Sequence, residues 1–167
     1  MNRTVYVVMG ITGSGKSTVG AALARKLGVD FVEGDDFHPV ENVQRMASGI
    51  PLTDDDRASW LSALAARIRE ARDAGAGLVV TCSALKRSYR DVLRAAAPDL
   101  QFIFLSGPRV LISERLAERR GHFMPASLLD SQLETLETPA FEEHAWEFDI
   151  DGSAQQIVDD IVARSSR

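Results

Sequence analysis

An α/β fold, with a parallel five-stranded sheet and helices on both faces, is the architecture that three features of this sequence predict. Five apolar runs of strand length recur, at Thr4–Met9, Phe31–Glu33, Leu78–Cys82, Phe102–Leu105 and Glu147–Ile150. Three of them are nearly continuous in Val, Ile, Leu and Phe, as strands covered on both faces must be. The stretches between them repeat apolar residues at helical spacing, and such alternation joins parallel strands through right-handed crossovers. The third feature is a glycine-rich segment wedged between the first strand and the first helix. Ligands of such a sheet sit at the carboxyl ends of its strands.

Each element has a local reason. Behind the glycine-rich segment, Val19, Leu23 and Leu27 form one helical stripe that stops at Gly28. Thr53 and Asp56 have the spacing of a capping box, and Trp60, Leu61, Leu64, Ile68 and Ala71 follow at helical intervals. Asp73 to Gly77 ends that helix. A further helix is expected from Leu85 to Ala97, stopped by Pro98. Pro108 is placed as the first helical residue of a segment reaching about Arg120, and Pro125 opens another to about Glu137. The last helix spans Ala154 to Ala163, with Ile157, Val158, Ile161 and Val162 on one face. No repeat, linker or low-complexity stretch divides the 167 residues, which suit one domain. The polar, glycine-containing stretch Arg119–Pro125 reads as a short lid.

Gly10 to Ser17 reads GITGSGKS, a complete Walker A pattern in the strand-to-helix context that the motif requires. The sheet is therefore of the P-loop NTPase type. Glycines let backbone N–H groups of Gly10, Ile11, Thr12, Gly13, Ser14 and Gly15 turn around phosphates. Lys16 reaches the β- and γ-phosphates, the Ser17 hydroxyl stands where Mg²⁺ needs an oxygen, and Thr18 follows in the first helical turn. The helix dipole adds to the anion site. ATP and Mg²⁺ are the expected cofactors.

The second strand ends in Glu33-Gly34-Asp35-Asp36, then Phe37-His38-Pro39. Carboxylates there suit two tasks, accepting a proton from an attacking hydroxyl and holding the metal through water. Asp35 is assigned as base and Glu33 as outer-shell metal partner, and two residues apart they share a face while the strand lasts. His38 either orients a substrate hydroxyl or caps the following helix. Arg57 lies near a helix start, where a cation is disfavoured by the dipole, so it suggests an anionic partner. Trp60 fits a core or a substrate-pocket floor. Ser83 and Lys86 follow the third strand and are expected to face the reaction, with Cys82 in the core. Arg115, Arg119, Arg120, Gly121 and His122 supply the cations and hinge of a lid over the γ-phosphoryl group. Arg119 is expected at the transferring phosphate and His122 at the substrate.

Nineteen basic and twenty-four acidic residues leave a net charge of −5, which argues against nucleic acid or an anionic membrane as partner. The single cysteine excludes an internal disulfide, and no apolar run has transmembrane or signal-peptide character, so a cytoplasmic location is expected.

The segments GITGSGKS, GDDFHP, MASGIPLTDDDR, CSALKRSYRD and RLAERRGHF together resemble the gluconate kinases, small P-loop enzymes related in fold to shikimate and nucleoside monophosphate kinases. The resemblance extends from the P-loop to Gly152. It implies ATP-dependent phosphorylation of D-gluconate at its terminal hydroxyl, giving 6-phosphogluconate. By position it makes Asp35 the catalytic aspartate, Arg57 and Lys86 substrate-holding cations, and Arg119 the lid arginine. It places adenine at the loop Asp151 to Ala154, with Asp151 and Gly152 as contacts. It leaves room for a homodimer, which the residues themselves do not indicate. A kinase for another small hydroxy acid, shikimate foremost, is the nearest alternative, but Cys82-Ser83-Ala84 stands where shikimate kinases carry glycines. A GTP-driven switch lacks support, because the Asn-Lys-x-Asp signature is absent and the only Asp-x-x-Gly begins at Asp149.

Overall fold

The computed structural model describes residues 3–118 and 126–167. Its strands are β1 (Val5–Met9), β2 (Asp30–Glu33), β3 (Leu78–Thr81), β4 (Gln101–Ser106) and β5 (Trp146–Asp149). They form one sheet in the order β2-β3-β1-β4-β5, and every pairing is parallel. The helices are α1 (Lys16–Leu27), α2 (Val40–Ala47), α3 (Asp54–Asp73), α4 (Arg87–Ala96), α5 (Arg109–Glu118), α6 (Ala126–Thr135) and α7 (Ala154–Ser165). The expected α/β class is the observed one.

Alternation along β1 divides the core into two layers. Val5, Val7 and Met9 pack with Trp60, Leu64 and Ile68 of α3 and Leu93 of α4. Tyr6 and Val8 pack with Val19 and Leu23 of α1 and with Ile157 and Ile161 of α7. The capping box at Thr53 is present, with Thr53 Oγ1 and the Asp56 carboxylate each accepting the other's backbone N–H at 3.1 and 2.9 Å. Order β3-β1-β4 brings the loops after β1 and β3 together, and the Gly10 N–H donates to the Ser83 carbonyl at 3.4 Å.

Two local expectations are corrected. The fourth helix begins at Arg87, not Leu85. Ala84 is buried at φ 46°, and Leu85 spends its carbonyl on the Glu137 N–H at 2.7 Å, so neither continues a helix. Glu33 and Asp35 do not share a strand face either. The chain turns at Gly34 into one 3-10 turn, Gly34–Phe37. A Cβ on Gly34 would stand 1.8 Å from the Thr81 carbonyl oxygen, so only glycine lets β2 press against β3 there. Several strand ends also shift by one residue, within the ordinary scatter of boundaries.

A closed ion-pair group ties α4 to the chain ahead of β5. Arg90 Nε and Nη2 donate to the two Glu143 carboxylate oxygens at 2.7 and 3.1 Å, and Arg94 Nη2 adds a third bond at 2.5 Å. The Ala140 N–H donates to the same carboxylate, and Arg90 Nη1 donates to the carbonyl of left-handed Ala84 at 2.8 Å. Burial alone would raise the Glu143 carboxyl. These donors outweigh burial and hold it at about 2.

The lid expected at 119–125, with Arg119, Arg120, Gly121 and His122, lies outside the described residues. No helix among the described residues is long and apolar enough to cross a membrane.

Candidate active site

The P-loop joins β1 to α1, with Gly13 at φ 80° and Gly15 at φ 94°, left-handed values that open the loop backbone into a cradle. The Ser14 hydroxyl is buried there with no hydrogen-bond partner among the described residues. Lys16 Nζ donates to the carbonyls of Gly10 and Ile11 at 3.0 and 3.1 Å, so the ammonium lies across the mouth of the loop. Ser17 Oγ donates to Glu33 Oε1 at 2.7 Å, and Thr81 Oγ1 donates to the same oxygen at 2.6 Å. A buried orphan hydroxyl, a glycine-shaped cradle and a hydroxyl–carboxylate pair are what a triphosphate with a divalent cation requires.

On one side of this loop a cleft is lined by Gly13, Gly15, Thr18, Arg115 and Gly152. Arg115 also donates to the Ile150 carbonyl, which fastens α5 to the end of β5. Asp151, expected beside adenine, is exposed, and its N–H bonds to Asp149 Oδ1 at 2.9 Å.

On the other side, a second cleft shares Lys16 and Thr12 with the P-loop. Asp35, His38, Arg57 and Ser83 all line it. Asp35 is exposed at its edge, and no hydrogen bond engages its carboxylate among the described residues. His38 stacks on Trp60 with ring centroids 4.2 Å apart and planes at 17°. Trp60 is at once core and cleft wall, and its Nε1 donates to the Gly34 carbonyl at 2.8 Å. Buried Asn42 fixes the histidine tautomer. Its Nδ2 donates to the Asp56 carbonyl at 2.7 Å, which sets the amide orientation, and the same Nδ2 lies 3.2 Å from His38 Nδ1. An amide nitrogen only donates, so Nδ1 accepts and the ring proton sits on Nε2. Burial lowers the His38 pKa, opposed by Asp35 and reinforced by Arg57, so the ring is neutral at physiological pH. The capping role weighed for His38 is not seen, since α2 has Pro39 at its N-cap and no side-chain cap.

Arg57 and Lys86 are not equivalent. Arg57 lines the cleft and is half-buried, whereas Lys86 does not line it. Lys86 is the N-cap residue of α4, and its ammonium donates to Asp54 Oδ1 at 3.0 Å. Sequence reading also missed Gln132 of α6. Its Oε1 accepts the Thr12 N–H at 2.7 Å across 120 residues, so this P-loop amide faces α6. Ser131 and the wall formed by Met46, Pro51 and Leu52 were likewise unread as site residues, although the last three all lie within the MASGIPLTDDDR segment. Cys82 is a buried core thiol pushed up to about 12, chiefly by burial.

The sequence matches a family described as an AAA domain over residues 5–139. It is 52% identical over 137 residues to a gluconokinase of Gluconobacter oxydans, covering 82% of this chain and 77% of that protein. It is 45% identical over 139 residues to the thermoresistant gluconokinase of Escherichia coli, covering 83% and 79%. The crystal structure of a gluconokinase from Sinorhizobium meliloti superposes with a TM-score of 0.88 at 49% identity, covering 96% of this chain and 90% of that one. A shikimate kinase from Bacteroides thetaiotaomicron shares the fold alone, at 17% identity and a TM-score of 0.70. With these likenesses spanning the P-loop and the cleft beside it, the chain belongs to the gluconokinase family of P-loop kinases.

Proposed function

We propose that this protein transfers the γ-phosphoryl group of ATP to the terminal hydroxyl of D-gluconate, giving 6-phosphogluconate and ADP. The observation that carries the reading is the cleft that Lys16 of the P-loop shares with Asp35, His38, Arg57 and Ser83. Phosphate-handling and polyol-handling groups meet there without a wall between them.

The roles follow from chemistry. Asp35, an exposed carboxylate engaged by no donor among the described residues, accepts the proton of the attacking hydroxyl. That oxygen attacks the γ-phosphorus and ADP leaves. Lys16 releases its loop carbonyls and moves to the β/γ oxygens, where charge spreads in a loose transition state. His38 Nε2–H and the Ser83 hydroxyl meet the polyol. Arg57 pairs with the carboxylate, and a site built around that charge disfavours neutral sugars, which leave the half-buried guanidinium without a counter-charge. Ser17 would hold Mg²⁺ with Glu33 as its outer-shell partner, and the metal would supply positive charge to offset that of the phosphates.

A coupled assay of ADP release over a panel of sugar acids, with shikimate and glucitol alongside, tests the reading. Gluconate should stand far above all others. Equal rates on gluconate and glucitol would remove the carboxylate from recognition.

A further inference from the structure

Arg57 does not sit alone at the cleft. Its Nη1 donates to Tyr89 Oη at 2.9 Å, and its guanidinium carbon lies 5.4 Å from the centre of the Tyr89 ring. The tyrosine hydroxyl in turn donates to Asp54 Oδ1, the oxygen that also receives Lys86 Nζ. Tyr89 is buried with its ring in the core layer beneath α3, so the hydroxyl has one place to be. A phenol has one proton. With that proton pointed at Asp54, only a lone pair faces Arg57, and a lone pair there takes a donor and nothing else.

We propose that Tyr89, held by Asp54 and backed by Lys86, is the positioning residue that aims Arg57 at the substrate carboxylate. The inference rests on the reading of Arg57 as the carboxylate partner. Lys86 then acts through Asp54 and not on gluconate. The chain of contacts has a direction: Lys86 neutralises Asp54, Asp54 orients the phenol proton, and the phenol oxygen orients one arm of the guanidinium. No other hydrogen bond engages Arg57's side chain among the described residues, so its remaining donors are available to a ligand in the cleft it lines. The protonation states agree with this order. Burial and the Asp54 bond raise the Tyr89 pKa, with Arg57 opposing, so the phenol keeps its proton at neutral pH. The Tyr89 and Lys86 bonds lower that of Asp54, which stays ionised.

Steady-state kinetics on four forms of the full chain test the proposal: wild type, Tyr89→Phe, Arg57→Ala and the double variant. Phe keeps the buried ring and removes only the hydroxyl. Tyr89→Phe should raise gluconate KM about 3–10-fold, the effect of one hydrogen bond, with ATP KM and kcat within about twofold. Arg57→Ala should raise gluconate KM about 30-fold or more. The double variant should be no worse than Arg57→Ala, because Tyr89 acts only through that guanidinium. Asp54→Asn, at an exposed site that does not endanger folding, should reproduce the Tyr89→Phe pattern. If Arg57→Ala raises gluconate KM while Tyr89→Phe and Asp54→Asn leave it unchanged, the positioning role is wrong and the carboxylate reading stands. If Tyr89→Phe weakens gluconate equally with and without Arg57, or weakens ATP as much, the tyrosine is only structural. If Arg57→Ala leaves gluconate KM unchanged, the carboxylate reading falls and the proposal with it.

Discussion

Tyr89 and Arg90 are neighbours on α4, yet they belong to opposite kinds of polar network. Arg90 faces the core, where its side chain and that of Glu143 are 0% and 1% exposed. There each guanidinium nitrogen has an acceptor, and the carboxylate is surrounded by Arg90, Arg94 and the Ala140 N–H. The network is closed. Tyr89 keeps its ring in the core but presents its hydroxyl to Arg57, and its network runs from solvent at Lys86 and Asp54 to a half-buried guanidinium with donors to spare. It is open at the cleft end. A closed buried network holds geometry, and removing one partner strands a charge in low dielectric. An open one keeps donors that a ligand can engage. The closed group also touches the cleft indirectly, since Arg90 holds the carbonyl of left-handed Ala84, directly after cleft-lining Ser83.

This contrast predicts losses of different kinds. The largest concerns the cleft alone. Asp35→Asn should lower turnover by about 10²–10⁴-fold, as for a positioned general base, with much less change in gluconate KM and an unchanged melting temperature. A fall of less than threefold, read in the same coupled assay, would remove Asp35 as the base.

In the closed network, Glu143→Gln should cost stability by about 3–5 kcal/mol, because Arg90 and Arg94 lose their counter-charge. Urea denaturation measures this, and below the midpoint the folded fraction should retain its gluconate KM. The same group predicts an acid limb. Its carboxyl is lowered from 4.5 to about 2, so its contribution is complete above the ordinary value and disappears as pH falls toward 2. Glu143→Gln should flatten that limb. A variant as stable as wild type at pH 7, with the same acid limb, would show that the buried pair does not hold α4.

The smallest effect is expected where the open network meets solvent. Lys86→Met should raise gluconate KM less than about fivefold, the range for an exposed ion pair, and this effect should shrink in high salt. A rise matching that of Arg57→Ala would make Lys86 a substrate ligand after all and erase the distinction between the two cations.

Much of this molecule could be read in advance because its signals are local. GITGSGKS needs only its own glycines and the flanking strand and helix. The Thr53–Asp56 capping box spans four residues, and the apolar runs report two-sided burial directly. Two local misreadings arose where a tertiary contact overrode pattern. Leu85 and Lys86 have helical company in sequence, but Ala84 is held left-handed by Arg90, and the helix starts later. Glu33 and Asp35 have strand spacing, but the pressure of Thr81 on Gly34 turns the chain between them.

The sheet, the phosphate loop and the set of side chains available for chemistry are written in the chain, since short-range periodicity and motif spacing encode them. Which of those side chains meet depends on how the elements pack. Arg57 meets Tyr89 across 32 positions, Arg90 meets Glu143 across 53, and Gln132 meets the P-loop across 120. Nothing in the spacing of Arg57 and Lys86 tells which cation faces the cleft. That follows from how the crossovers seat α3 against α4, so that Asp54 takes the lysine while the arginine lines the cleft.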